Sequence, residues 1–148
     1  RMKTNIDVSI GVKAVSACLL GVASAYDGSH NLSLPVINRI KGLVVIPVCP
    51  ESMGGLDTPR IPSEIQKDGI TVLAKDGRDV TGCFASGAGI ALEKAGEYGC
   101  VDAIMKENSP SCGSNHIYDG SFTGRLIEGE GIAAGLFRKN GMNVTNEK

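Results

Sequence analysis

Three short apolar segments, rich in β-branched residues, each lead into a loop that carries a cysteine. The segments are Val12–Ala17, Leu43–Val48 and Val101–Met105. They are followed by Cys18, by Cys49 and by the loop Ser109–Cys112, respectively. Continuous apolar runs of this length are typical of strands that are covered on both faces of a parallel sheet. This pattern of strand followed by cysteine loop constrains the fold more than any other feature of the sequence.

Stretches with helical spacing alternate with these strands and predict crossover connections. They are Leu34–Lys41, Asp79–Tyr98 and Gly129–Asn140, with Met142–Val144 as a final short strand. The sequence thus predicts an α/β fold in three layers, with a mainly parallel sheet and helices on both faces. A Gly/Pro-rich segment, Met53–Pro62, predicts a functional loop, and the turn Lys75–Arg78 predicts a small hairpin with the residues that follow it. Ligands bind beyond the carboxyl ends of the strands in such sheets, so the three cysteines are expected at the same edge.

Composition narrows the class of protein. A chain of 148 residues predicts a single domain. The net charge of −1 and an aromatic content of 4% argue against binding of duplex nucleic acid and favour a small-molecule partner. No apolar run approaches the roughly 18–20 residues that span a bilayer, so we expect no membrane partner and a cytoplasmic location. Five cysteines without an export signal favour metal binding or catalysis over a disulfide framework.

Residue types alone leave three uses open for Cys18, Cys49 and Cys112. Three thiolates suit a [4Fe–4S] cluster with one iron open to substrate, and they also suit an open zinc site. Alternatively, Cys112 is an activated nucleophile in a loop of turn-forming residues. Cys83 and Cys100 lie outside any motif and are interpreted as core residues.

Several motifs along the chain resemble, in order and type, those of the DUF523 family of bacterial thiouracil desulfidases. The resemblance covers about residues 11 to 141. The motifs are Ser16-Ala17-Cys18-Leu19-Leu20-Gly21, Tyr26-Asp27-Gly28, Cys49-Pro50-Glu51, Gly54-Gly55-Leu56, Thr58-Pro59-Arg60, Asp79-Val80-Thr81, Ser109-Pro110-Ser111-Cys112-Gly113-Ser114 and Ile117-Tyr118-Asp119-Gly120. One departure is Ala25, where the family often has Arg before Tyr-Asp-Gly.

The resemblance implies a [4Fe–4S] enzyme that hydrolyses the C=S group of thiouracil, thiouridine or its nucleotide to C=O and releases sulfide. Cys18, Cys49 and Cys112 would hold the cluster, and its open iron would take the substrate sulfur. Aerobic purification is expected to leave such a cluster absent or replaced. In this scheme Glu51 is the expected proton carrier, and Ser109 is expected to orient the water or the base.

Five residues near the motifs are expected to contact the substrate: Tyr26, Asp27, Arg60, Ser111 and His116. The expected partner is a small thiolated pyrimidine, and the expected assembly is a monomer or a homodimer. Two other functions stay open. One is thiol-based sulfur transfer with Cys112 as nucleophile, and the other is a non-catalytic module that binds a metal, a cluster or a small ligand.

Overall fold

A computed structural model describes residues 11–148 and shows eight strands and four α-helices. The strands are β1 (Val12–Ser16), β2 (Val44–Val48), β3 (Ser63–Ile65), β4 (Val72–Ala74), β5 (Asp102–Ile104), β6 (His116–Tyr118), β7 (Leu126–Glu128) and β8 (Asn143–Thr145). The helices are α1 (Leu34–Arg39), α2 (Pro50–Met53), α3 (Thr81–Glu97) and α4 (Ile132–Lys139), and a 3-10 turn covers Ala17–Leu20.

A parallel sheet in the order β2-β1-β5-β8 forms the middle layer. Side chains of successive strand residues point to opposite faces, so Ala14 and Val15 belong to different core clusters. On one face, α3 and α4 cover the sheet through small and aromatic residues such as Ala91 and Phe137. On the other face, the 3-10 turn and α1 supply Leu19 and Val36. The predicted three-layer α/β fold is confirmed.

The prediction that the second strand is covered on both faces is wrong. β2 lies at the edge of the sheet, where Val44 is 59% exposed and Pro47 is also exposed. Proline lacks a backbone N–H and is tolerated at sheet edges for that reason. Apolar composition predicted the strand correctly but not its position in the sheet.

Two antiparallel hairpins lie outside the main sheet and contribute to the cavity described below. β3 pairs with β4, whereas the predicted hairpin beyond Lys75–Arg78 is reduced to a single bridge between Leu73 and Asp79. β6 pairs with β7, and the sequence did not indicate this second hairpin. The Gly/Pro-rich segment Met53–Pro62 begins at the last residue of a single helical turn, α2, which starts at Pro50 because proline suits the first position of a helix. Across residues 11–148, none of the helices has the length and apolar character needed to cross a bilayer.

Candidate active site

A cavity of about 510 Å³ opens at the carboxyl edge of the parallel sheet. Cys18 reaches it from the 3-10 turn after β1, Cys49 from the residue directly after β2, and Cys112 from the long loop after β5. Parallel strands bring their carboxyl ends to one edge, which is why cysteines far apart in the sequence line one cavity.

The three cysteines form a soft donor set, but they do not form a ready site for a single ion. Within residues 11–148, no three side chains of His, Cys, Asp or Glu converge closely enough to share one metal ion. A mononuclear zinc site requires such convergence. A cubane cluster instead spreads its thiolate ligands over separate irons, so its cysteines stand further apart. The soft character of the three sulfurs and their place around one cavity fit such a cluster.

Burial keeps two of the thiols protonated. Cys112 is 5% exposed, and burial raises its pKa to about 12. Burial also raises the pKa of Cys18, although Asn31 and Lys106 act in the opposite direction. Since the thiolate is the nucleophilic form, a thiol with a raised pKa is a poor nucleophile at neutral pH. A bound metal displaces the proton from a ligand thiol, so burial does not argue against ligation.

Two glycines allow α2 to pack directly against α3 and thereby fix the segment that carries Cys49 and Glu51. A Cβ atom at Gly87 would overlap the carbonyl oxygen of Pro50, and one at Gly54 would overlap that of Cys83. A larger residue at either position requires the two helices to separate. The Cys49 thiol also lies 3.2 Å from the Ser52 hydroxyl.

The carboxylate of Glu51 is held by two groups, one on each oxygen. Its Oε1 accepts a bond of 2.8 Å from Nε of Arg60, and its Oε2 accepts one of 2.9 Å from the Ser111 hydroxyl. The Ser111 hydroxyl lies in turn 3.0 Å from that of Ser109. The structure therefore joins Glu51 and Ser109, the two residues predicted to be catalytic, through Ser111.

Ser109 also shapes the cysteine loop. Its hydroxyl oxygen accepts the backbone N–H groups of Ser111 (3.1 Å) and Cys112 (3.0 Å). Because the Ser111 hydroxyl donates its proton to Glu51, the Ser109 hydroxyl donates its own proton to the Ser111 oxygen. This arrangement gives a directed chain of hydrogen bonds from Ser109 to the carboxylate.

Arg60 lines the cavity, but its guanidinium is already engaged. Besides Glu51, it donates to the Thr58 hydroxyl at 2.8 Å and to the Ser24 carbonyl at 2.9 Å. Its side chain is only 8% exposed. This geometry favours a role in orienting Glu51, whereas the sequence analysis predicts a direct substrate contact.

Tyr26 and Asp27 lie at the rim of the cavity. Tyr26 is 50% exposed. Asp27 accepts the backbone N–H and the hydroxyl of Ser29, and these bonds lower its pKa. Asp119 makes the same turn with Ser121, so both Tyr-Asp-Gly motifs are turns.

His116 is the one predicted site residue that the structure leaves outside the cavity. It lies at the start of β6 with its side chain 49% exposed, and its Nδ1 is 3.6 Å from Oε2 of Glu107. The turn that precedes β6 is tied to Glu107, and this places the imidazole away from the cysteines. The structure does not support the predicted substrate contact.

Glu107, which the sequence analysis did not single out, organises the loop that carries Cys112. It is 5% exposed, and its Oε1 accepts backbone N–H groups from Asn108, Ser114, Asn115 and His116 at 2.9–3.3 Å. Burial raises the pKa of this carboxyl, but the four N–H groups outweigh burial and lower it overall. The only signal in the sequence is an acidic residue directly between a buried strand and the cysteine loop.

A second buried carboxylate, Glu64, lies in the cavity wall and was also not predicted. It is 9% exposed, and its Oε1 accepts the backbone N–H groups of Gly120 (2.9 Å) and Phe122 (3.1 Å). These bonds join the β3–β4 hairpin to the turn between β6 and β7.

A family model, a relative and a solved structure each match most of this chain. The family model for 2-thiouracil desulfurase matches residues 14–148. The uncharacterized protein YbbK of Bacillus subtilis (strain 168) is 40% identical over 141 residues, which cover 90% of this chain and 93% of that protein. A solved structure, described as the [4Fe-4S]-dependent thiouracil desulfidase TudS, is 42% identical with a TM-score of 0.82. That match covers 90% of this chain and 89% of the other.

The family match spans most of the chain, and the solved structure shares its fold over 90% of the chain at 42% identity. The resemblance to the DUF523 family is thus confirmed by sequence and by structure. The chain belongs to the 2-thiouracil desulfurase family.

Proposed function

We propose that this protein is a [4Fe–4S]-dependent desulfidase that hydrolyses the C=S group of a thiolated uracil compound to C=O and releases sulfide. The observation that carries the proposal is one cavity lined by Cys18, Cys49 and Cys112 together with a carboxylate, Glu51. The named activity of the 42% identical structural relative supports it.

The three cysteines are the residues that would hold the cluster. When bound, a cluster with three protein ligands supplies a Lewis acid for a thiocarbonyl sulfur. The buried position of Cys112 and the soft character of all three sulfurs suit this role. The remaining chemistry concerns protons and falls to the side chains beside the cysteines.

Glu51 is the group best placed to move those protons. Hydrolysis consumes one water, whose oxygen ends on the ring carbon and whose two protons leave with the sulfur as hydrogen sulfide. Glu51 accepts a proton from the attacking water and later returns it to the departing sulfide. Arg60 on one oxygen and Ser111 on the other hold the carboxylate in position, and Ser109 supports Ser111. No net oxidation or reduction is needed.

The test is an assay of anaerobically reconstituted protein. Sulfide and the oxygenated base are measured with 2-thiouracil, 4-thiouracil and the corresponding nucleosides and nucleotides. We expect equal amounts of sulfide and base from at least one of these compounds. Protein with a full cluster that releases sulfide from none of them would refute the proposal, and tight binding without turnover would point to a non-catalytic binding module.

The alternative in which Cys112 is a nucleophile makes a different prediction. Cys112→Ser would then abolish activity, whereas Cys18→Ser and Cys49→Ser would leave most of it. The raised pKa of Cys112 disfavours this alternative. The assembly is proposed to be a monomer or a homodimer, which light scattering of the reconstituted protein distinguishes.

A further inference from the structure

The few aromatic residues of this chain are unevenly distributed. It has three Tyr and three Phe and no Trp. Phe84 and Phe137 are buried in the core, and Tyr98 is exposed at the end of α3. The other three all line the cavity that holds the cysteines: Tyr26, Tyr118 and Phe122. Half of the aromatic side chains therefore border one cavity in a chain with only 4% aromatic content.

Phe122 has an unusual backbone conformation. Its φ of +58° lies in the left-handed region, which a residue with a bulky side chain rarely adopts. Conformations of this kind persist only where the surroundings impose them, and they cluster at functional sites. Glycine adopts this conformation without strain, so the phenyl ring at this position carries a conformational cost.

Glu64 makes two hydrogen bonds to the turn that carries Phe122. Its buried carboxylate accepts the N–H of Phe122 at 3.1 Å and that of Gly120 at 2.9 Å, and therefore holds the turn from both sides of Ser121. Glu64 belongs to β3, a different element from the turn, and it lies in the cavity wall. Among residues 11–148, the hydrogen bonds to the Glu64 carboxylate come from backbone N–H groups, and they fix its geometry strongly because the loss of either bond leaves a buried polar group without a partner.

The same hairpin is connected to the cysteine loop. Ile117 of β6 forms a bridge with Asn108, and the N–H of Gly129 donates to the carbonyl of Asn115 at 2.9 Å. The turn carrying Phe122 and the loop carrying Cys112 are therefore parts of one connected unit. A ring at Phe122 is held at a defined position relative to the sulfurs.

We propose that Phe122 is a specificity-determining residue whose ring stacks on the pyrimidine of the substrate, and that Glu64 is the positioning residue for it. This inference rests on the proposed function and extends it to the substrate class, namely planar aromatic heterocycles that carry a thiocarbonyl. Stacking of a base on an aromatic side chain is tolerant of ring substituents, because it depends on the π-face. Non-aromatic thiocarbonyl compounds of similar size, such as 5,6-dihydro-2-thiouracil, are therefore expected to be poor ligands.

The experiment measures the dissociation constant of uracil, the product, and the KM of thiouracil with the reconstituted holoenzyme. Phe122→Ala is expected to weaken uracil binding by roughly 5- to 150-fold, the range for loss of one base–aromatic stack. Phe122→Tyr retains a π-face and is expected to bind within about threefold of the wild type. KM should rise in parallel while kcat changes little, because the ring contacts substrate and transition state alike. Tyr98→Ala changes an exposed aromatic that does not line the cavity; it is the matched control and should have no effect.

The Phe122→Gly variant distinguishes the effect on binding of losing the ring from the effect of destabilising the fold. Glycine adopts a φ of +58° without strain, so this variant is expected to be at least as stable as Phe122→Ala. Glu64→Ala should weaken uracil binding as Phe122→Ala does. The double variant should bind no more weakly than Phe122→Ala, because both changes remove the same contact. Iron content, measured for each variant, should equal that of the wild type.

The outcomes distinguish this inference from the proposed function. Wild-type holoenzyme that binds uracil but releases no sulfide would refute desulfidation, while the Phe122 variants would still test the stacking. Phe122→Ala and Phe122→Gly variants that bind uracil as tightly as the wild type would overturn the stacking role alone. Additive losses for Glu64→Ala and Phe122→Ala would overturn the positioning role of Glu64. Wild-type holoenzyme that has no affinity for uracil or for any of the thiolated bases, nucleosides and nucleotides, and that releases sulfide from none of them, would overturn both.

Discussion

Replacement of Glu107 by glutamine is expected to lower the free energy of unfolding by about 2 kcal/mol at pH 7. The Oε1 atom of Glu107 accepts four backbone N–H groups, of which those of Ser114 (2.9 Å) and Asn115 (3.0 Å) are the shortest. A bond to a charged group contributes roughly 1.5–3 kcal/mol, and a neutral bond roughly 0.5–1.5 kcal/mol. A neutral amide oxygen at this position therefore loses about 1 kcal/mol for each of the two short bonds. Glu107→Ala also leaves the buried N–H of Ser114 unpaired, and its cost is expected to reach about 4 kcal/mol.

The dependence on pH gives a second test of the same carboxylate. The backbone N–H groups lower the pKa of Glu107 from its ordinary value of 4.5, so the folded state binds its proton more weakly than the unfolded state. The stabilisation is therefore present above the ordinary pKa and is lost as the pH falls through the lowered one. The difference between wild type and Glu107→Gln should shrink in acid. His116, Lys106 and Glu147 lie next to Glu107 in both proteins, so the difference reports the carboxyl group of Glu107 together with its interactions with these neighbours.

The assay is urea denaturation of reduced, cluster-free protein, followed by circular dichroism at pH 7 and in acid. Glu128→Gln, at an exposed position of β7, is the matched control and is expected to change stability by less than about 0.5 kcal/mol. Equal stability of Glu107→Gln and wild type at pH 7 would refute the role given to Glu107. A difference that persists unchanged in acid would contradict the assignment to its charge.

Two further predictions concern the residues around the cysteines. Glu51→Gln should lower the rate of sulfide release by about 10²- to 10⁴-fold with iron content unchanged, and a loss below tenfold would argue against proton transfer by this carboxylate. Gly131→Ala should lower the free energy of unfolding by about 1–3 kcal/mol and reduce cluster occupancy, because its Cβ would lie 2.5 Å from the carbonyl carbon of Ser111. Gly82→Ala, whose Cβ meets nothing within 4 Å, is the control, and Gly131→Ala protein with wild-type stability and iron content would contradict the tight packing.

The sequence predicted the layers of the fold because the apolar segments around Val15 and Ile104 are long enough to show their burial. It predicted that the cysteines share one edge because parallel strands end on the same side. It did not predict that β2 is an edge strand, since an apolar segment such as the one at Val44 looks the same at the edge and at the centre. Strands of three residues, such as Leu126–Glu128, are too short for a pattern, and all three residues of that strand are exposed.

The parts of the site that escaped prediction depend on contacts between distant residues. Glu107 and Glu64 resemble ordinary surface acids in the sequence, and only the fold shows that each is buried against backbone N–H groups. The sequence analysis predicted a substrate contact for Arg60, because its pairing with Glu51 depends on how the Gly/Pro-rich segment folds back. The sequence analysis predicted a substrate contact for His116 from the chemistry of its imidazole alone. Its position depends on a turn that the sequence does not reveal.

The most direct test of the central claim is the content of iron and acid-labile sulfide, measured with sulfide release from thiouracil, in anaerobically reconstituted protein and its cysteine variants. The wild type and Cys83→Ser should contain about four irons and four sulfides per chain and should be active. Cys18→Ser, Cys49→Ser and Cys112→Ser should each lose cluster and activity together, because all three line the one cavity. Loss of activity in Cys112→Ser alone, with Cys18→Ser and Cys49→Ser active, or an active wild type without iron, would contradict the account.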